Sequence, residues 1–141
     1  MNFAARVCFA AAALGFFLIA GCENPSAMNA STASVKHITQ GEFAAEVALS
    51  TNPVVVEFYA TWCGPCRKLG PMLDRLALPF TDKIKFVKVN IDESPGLAQN
   101  YSVQGVPTVI FFRDGKLADR LVGLPPEPEL KASLEKFAAG K

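Results

Sequence analysis

The sequence predicts an α/β domain in which strands and helices alternate along the chain. Runs rich in Val, Ile and Phe, which are typical of buried strands, occur at 53–59, 84–91 and 108–113. Segments between and around these runs carry apolar residues at the three- and four-residue spacing of a helix. The chain has 141 residues, which fits one domain of ordinary size. These three observations together favour a single α/β domain.

The first half of the domain is predicted to contain two strands and two helices. Residues 35–38 form a short strand, and the apolar spacing within 41–50 predicts a helix. The near-continuous apolar run at 53–59 suits a central strand that is covered on both faces. Residues 66–78 place Leu and Met on one face, which predicts a second helix that Pro71 should kink.

The second half of the domain is predicted to contain three strands and two helices. A strand at 84–91 precedes a short helix at 94–101, where Ser and Pro are favourable first residues. Strands at 108–113 and 116–122 are joined by an Asp-Gly pair, which is a strong hairpin signal and adds an antiparallel edge. A final helix is expected over 126–138, with a buried stripe of Leu and Phe.

The N-terminus is predicted to be a secretory leader. Residues 7–20 contain no charge and follow Arg6. A helix of that length measures about 21 Å, which is short for a hydrocarbon core of about 30 Å. A basic residue, a short apolar core and the small residues Ala20 and Gly21 predict a signal peptide over 1–21 that is removed. An uncleaved signal anchor is the alternative.

The end of this leader, Ile-Ala-Gly-Cys22, resembles the lipobox of bacterial lipoproteins. The resemblance implies that Cys22 is lipidated and becomes the first residue of the mature protein. It also implies a location on the periplasmic side of a bacterial membrane, because several acyl chains give stable anchoring. An ordinary signal peptide would instead leave Cys22 as a free thiol. Residues 23–34 are small and polar, which predicts a flexible tether, and the folded domain is expected over 35–141.

The charge balance argues against a nucleic-acid partner. The chain has 14 Lys+Arg against 13 Asp+Glu, and removal of the leader with Arg6 makes the two classes equal. A nucleic-acid binder would show a basic face and a high isoelectric point. Membrane association is therefore expected to depend on lipid rather than on a basic patch.

The candidate chemistry lies in the segment Trp62-Cys63-Gly64-Pro65-Cys66, between the central strand and the following helix. Two cysteines at this spacing can close a disulfide at a helix start. Cys63 would lie where the helix dipole and unpaired N–H groups favour an anion, which lowers the pKa of its thiol. Cys66 could then attack a mixed disulfide formed on Cys63.

Other uses of this cysteine pair are less consistent with the sequence. A zinc site needs four ligands, and His37, which we expect to be a solvated strand residue, is the only histidine. Covalent haem attachment needs a His after the second Cys, and Arg67 occupies that position. A purely structural disulfide stays open. No metal, flavin or nucleotide motif is found, so the cysteines are expected to be the redox group, with no cofactor.

The stretches VVVEFYATWCGPCRKLGPML, FVKVNID, GVPTVIFFRDGK and LVG resemble the thioredoxin family. The resemblance covers residues 35–138 and implies the thioredoxin fold, a five-stranded mixed sheet flanked by four helices. It implies that Cys63 is the attacking cysteine and Cys66 the resolving one. The substrate-binding positions that it implies are Trp62, Gly64, Pro65, Val106, Pro107 (with a cis peptide bond) and Gly123.

Glu57 departs from the usual pattern of the family, which more often has Asp there. A carboxylate inside an apolar strand should have a raised pKa. Such a group can exchange a proton with Cys66, through water. Lys88 matches the family's lysine beside this acid. A structural ion pair of Glu57 and Lys88 without a kinetic role is the alternative.

Two functions follow from these expectations. The first is a membrane-tethered thiol–disulfide oxidoreductase that reduces protein disulfides and receives electrons from a membrane donor. The same exchange chemistry could instead run as oxidation or isomerisation. The second is a thioredoxin-fold adaptor that binds through the surface around Trp62, Val106 and Pro107 without turnover. A monomer is expected in either case.

Overall fold

A computed structural model of the chain describes residues 35–140. The predicted signal peptide (1–21), the predicted lipidation site at Cys22 and the predicted tether (23–34) lie outside the described residues. Among residues 35–140, no helix combines the length and apolar character that a membrane crossing requires.

The described residues form five strands and four helices, in the order that the sequence predicts. Their bounds are β1 (Lys36–His37), α1 (Gln40–Phe43, continued by a π-helical turn at Ala44–Ala48), β2 (Val54–Tyr59), α2 (Cys66–Ala77, followed by a 3₁₀ turn at Leu78–Phe80), β3 (Lys85–Asn90), α3 (Pro95–Asn100), β4 (Thr108–Arg113), β5 (Lys116–Val122) and α4 (Glu127–Ala138). The first strand is shorter than the four residues expected, because only two of them pair with β3.

The strands make one mixed sheet in the order β1-β3-β2-β4-β5. Strands β1, β3 and β2 are parallel, whereas β4 and β5 add to β2 as an antiparallel hairpin. Together with the four helices, this confirms the thioredoxin fold that the sequence implied. The central position of β2 explains its near-continuous apolar sequence, since both of its faces are covered.

Each face of the sheet has its own apolar core. On one face, residues of α2 and α4 such as Leu73 and Leu134 pack with Val55 and Val109. On the other face, residues of α1 and α3 pack with the intervening residues of the same strands; these include Phe43, Val47, Val56, Phe58, Leu97 and Ile110. Burial of each large apolar side chain contributes about 1.5–3 kcal/mol. The two layers cover both faces of β2, whose carboxyl end leads to the cysteine pair.

The strand register aligns three polar residues across the α2 face. Lys88 of β3 lies opposite His37 of β1 on one side and Glu57 of β2 on the other. Residues opposite one another in neighbouring strands point to the same side of a sheet. His37, Lys88 and Glu57 therefore form a row that leads from the sheet edge towards its centre, where Val109 of β4 continues it.

Candidate active site

Cys63 and Cys66 form a disulfide at the start of α2. The two sulfur atoms are 2.11 Å apart and the two Cα atoms 5.3 Å apart. Both residues are almost fully buried, at 3% and 5% exposure. They pack with the buried Ala60 and against the partly buried Ile91 and Val106. The disulfide expected from the spacing of the two cysteines is thus present, and only a small part of its surface is exposed to solvent.

Backbone N–H groups at the start of α2 point at Cys63. The Cys66 N–H donates to the Cys63 sulfur at 3.1 Å, and the Arg67 N–H donates to the Cys63 carbonyl at 3.4 Å. A helix start carries partial positive charge and unpaired donors. A thiolate at Cys63 would receive a hydrogen bond and a favourable dipole, as an attacking cysteine requires.

Trp62 lies beside the disulfide and is held by an acidic residue that the sequence analysis missed. The indole is 66% exposed, and its Nε1–H donates to the Asp92 carboxylate at 3.0 Å. Asp92 is itself fixed, because its backbone N–H donates to the Asn90 side chain at 3.1 Å. The position of Asp92 two residues after the end of β3 was the available signal, since residues at strand ends converge on one edge of the sheet.

The loop before β4 provides a second wall of the site. The Val106–Pro107 peptide bond is cis, as the resemblance implied, and Val106 packs against the cysteine cluster. The Gly123 N–H donates to the Pro107 carbonyl at 2.8 Å. Gly123 has a φ of +84°, and a Cβ at this position would meet nothing within 4 Å. The surface beside Gly123 is therefore open to a partner's backbone.

Glu57 lies behind the disulfide and is almost completely buried, at 2% exposure. Its side chain borders a cavity of about 220 Å³ that Cys66, Arg67 and Lys88 also line. Burial, opposed by the Lys88 charge and reinforced by that of Asp74, raises the pKa of Glu57 to about 7. An acid of this kind can exist in either protonation state near neutral pH, which suits proton exchange with Cys66.

Lys88 faces the same cavity as Glu57 but does not form a close ion pair with it. The residues are opposite one another in β3 and β2, and no Glu57–Lys88 contact within 4.0 Å occurs among the ion pairs of the described chain. The charge of Lys88 nevertheless lowers the pKa of Glu57. This arrangement differs from the structural ion pair that the sequence left open.

His37 is exposed, as expected of an edge-strand residue, but it is also part of the cavity. Its Nδ1 is 2.8 Å from the Tyr59 hydroxyl, and both residues line the cavity with Glu57. The two rings meet edge to face, with centroids 5.2 Å apart. Sequence reasoning missed Tyr59, although its position two residues after Glu57 places both side chains on one face of β2.

Within residues 35–140, no group of three or more His, Cys, Asp or Glu side chains is arranged to hold a metal ion. The redox group at this site is the Cys63–Cys66 disulfide.

Comparison with known proteins agrees with this geometry. A sequence model of the family described as Thioredoxin matches residues 34–136. The chain is 42% identical over 99 residues to Thioredoxin 1 of Synechococcus elongatus, covering 70% of this chain and 92% of that protein. It is 43% identical over 108 residues to Thioredoxin M4, chloroplastic, of Arabidopsis thaliana, covering 77% of this chain and 56% of that protein. The chain thus spans about half the length of this chloroplast relative and most of the cyanobacterial one.

Proposed function

This chain belongs to the thioredoxin family of disulfide oxidoreductases, and from that premise we propose that it reduces protein disulfides outside the cytoplasm while tethered to a membrane. The observation that carries the chemistry is the Cys63–Cys66 disulfide at the start of α2, with the buried Glu57 behind it. Three finer elements make up the proposal: the reaction cycle, its reductive direction and the lipid tether.

The reaction cycle begins with the reduced protein. The Cys63 thiolate attacks one sulfur of a substrate disulfide, a Cys63–substrate disulfide forms, and the other substrate sulfur leaves as a thiolate. Cys66 gives its thiol proton to the Glu57 carboxylate. The Cys66 thiolate then attacks the Cys63 sulfur, which forms the Cys63–Cys66 disulfide and releases the second substrate thiolate. Two electrons pass to the substrate, and its two thiolates take up protons from solvent.

Support for the reductive direction comes from the Gly64-Pro65 dipeptide, which resembles that of the reducing thioredoxins. A reducing protein needs a dithiol donor, and outside the cytoplasm a membrane protein that relays electrons outward would supply it. The test is to quench native-host cells with acid and count free thiols by alkylation, with a Cys63→Ser/Cys66→Ser variant as control. We expect the pair to be mostly reduced at steady state. A mostly oxidised pair would instead favour an oxidase or isomerase.

Support for the tether comes from the leader and from Cys22, which match the pattern of a lipoprotein signal. We expect the wild-type protein to incorporate radiolabelled palmitate and to sediment with membranes. The matched variant, Cys22→Ala, should lose both properties and keep disulfide reductase activity, since the folded domain begins more than ten residues later. Equal labelling of the two proteins, or a wild-type protein in the soluble fraction, would contradict the tether.

The adaptor alternative draws on the exposed Trp62 and the partly buried Val106 beside it. The Cys63→Ser/Cys66→Ser variant separates the two functions. An adaptor would keep its partners and its effect in cells, whereas the oxidoreductase would lose all turnover.

A further inference from the structure

Tyr59 and His37 form a bridge over β3 at the outer side of the Glu57 cavity. Neighbouring strands are about 4.8 Å apart, so β1 and β2 are separated by roughly 10 Å with β3 between them. The 2.8 Å contact between the Tyr59 hydroxyl and His37 Nδ1 closes this gap on the α2 face. Both side chains line the cavity into which Glu57 and Lys88 point. We call this hydrogen-bonded pair the Tyr59–His37 bridge.

We propose that the Tyr59–His37 bridge is a positioning element that limits the access of water to Glu57 and so supports proton exchange between this carboxyl group and Cys66. This inference rests on the proposed role of Glu57 in the reaction cycle. Tyr59 packs against the cluster of Ala60, Cys63 and Cys66, and the effect that we propose for the bridge is on the hydration of Glu57.

The proposal follows from the position of the bridge in the wall of the cavity that Glu57 borders. The residue is 2% exposed, yet it borders a cavity of about 220 Å³, which is large enough to hold several water molecules. Burial is the largest cause of its raised pKa. If the bridge opens, bulk water reaches this cavity more freely, the ionised carboxylate is better solvated, and the pKa falls.

Charged groups around Glu57 also act on its pKa, independently of the bridge. Lys88 faces it from β3, and Asp74 and Arg67 face it from α2. Burial lowers the pKa of His37 and raises that of Tyr59, so it favours the neutral form of both bridge residues, and Glu93 lies near both. Tyr59→Phe removes a hydroxyl group without changing the charge of the neutral side chain.

The test is a ¹³C NMR titration of the Glu57 carboxyl carbon in the oxidised protein, assigned by its absence in Glu57→Gln. In Tyr59→Phe and in His37→Ala, the titration midpoint should move to lower pH by about half a unit or more. His37→Asn should restore the wild-type midpoint, since its amide presents a polar group where Nδ1 lies. Tyr101→Phe removes the other tyrosine hydroxyl, from the opposite core, and should leave the midpoint unchanged.

An unchanged or raised midpoint in both Tyr59→Phe and His37→Ala would overturn the proposal. A shift that His37→Asn fails to reverse would also count against it, because the polar contact would then not be what matters. The role of Glu57 is tested separately by the pH profile of the resolving step. This step is the phase of thiol release from 5,5′-dithiobis(2-nitrobenzoate) that does not depend on probe concentration. If Glu57→Gln has the wild-type profile, the proton-transfer role fails, whatever the bridge variants show.

Discussion

Replacement of Glu57 by Gln should stabilise the folded protein at alkaline pH while it slows the exchange reaction. The carboxyl group is almost fully buried in the centre of the sheet. Its pKa is raised from 4.5 to about 7 in the folded protein. A buried acid of this kind is tolerated when it is protonated and becomes costly when it ionises. Gln has nearly the same shape and cannot ionise.

The size of the effect follows from the pKa shift. Between pH 4.5 and pH 7 the folded state holds the Glu57 proton and the unfolded state has lost it, so the free energy of unfolding falls as pH rises. Each pKa unit corresponds to about 1.36 kcal/mol. The shift from 4.5 to about 7 therefore predicts a loss of about 3 kcal/mol that is complete above pH 7 and absent below pH 4.5.

The measurement is urea unfolding of the oxidised wild-type protein and of Glu57→Gln, at pH 4 and pH 8. We expect the variant to gain up to about 3 kcal/mol relative to wild type on going from pH 4 to pH 8. Other titrating groups are common to both proteins and cancel in this comparison. A difference between the two proteins that is the same at both pH values would refute the claim that burial raises the Glu57 pKa.

Three further substitutions test the site and the core. Asp92→Ala removes the hydrogen-bond acceptor of the Trp62 indole. Loss of a hydrogen bond of about 1 kcal/mol should raise the KM for a protein disulfide about fivefold. An unchanged KM would show that substrate binding does not depend on this hydrogen bond. Gly123→Ala places a side chain at a φ of +84° and should lower the free energy of unfolding by about 1 kcal/mol, whereas the matched Gly105→Ala should change it little. Leu73→Ala truncates a fully buried side chain and should lower the free energy of unfolding by about 2–5 kcal/mol. Leu78 is half exposed, so Leu78→Ala is the control. An equal loss of stability for the two variants in urea unfolding would contradict the assigned core.

Capping and turn residues predicted α3 and β5, and hydrophobic periodicity predicted the other strands and helices of the described chain. It overestimated β1, since strand length at a sheet edge depends on which residues find partners in β3. The cysteine pair and Glu57 could be predicted because their chemistry is visible in the residue types themselves.

The contacts between distant segments could not be predicted from the sequence. The Trp62–Asp92 hydrogen bond joins positions 30 residues apart, and the contact between His37 and Tyr59 joins positions 22 residues apart. These pairs depend on strand order and on side-chain direction, which local patterns do not contain. The separation of Glu57 and Lys88 beyond ion-pair distance likewise depends on how the two side chains share one cavity.

The central claim, that Cys63 attacks a substrate disulfide and Cys66 resolves the intermediate, is tested most directly by trapping. The Cys66→Ser variant, expressed in the native host and purified under non-reducing conditions, lacks the thiol that releases the substrate. We expect it to carry protein partners bound through Cys63, which reduction frees for identification by mass spectrometry and which the Cys63→Ser/Cys66→Ser variant lacks. Recovery of no covalent partner on Cys66→Ser, or of the same partners on the double variant, would contradict the claim.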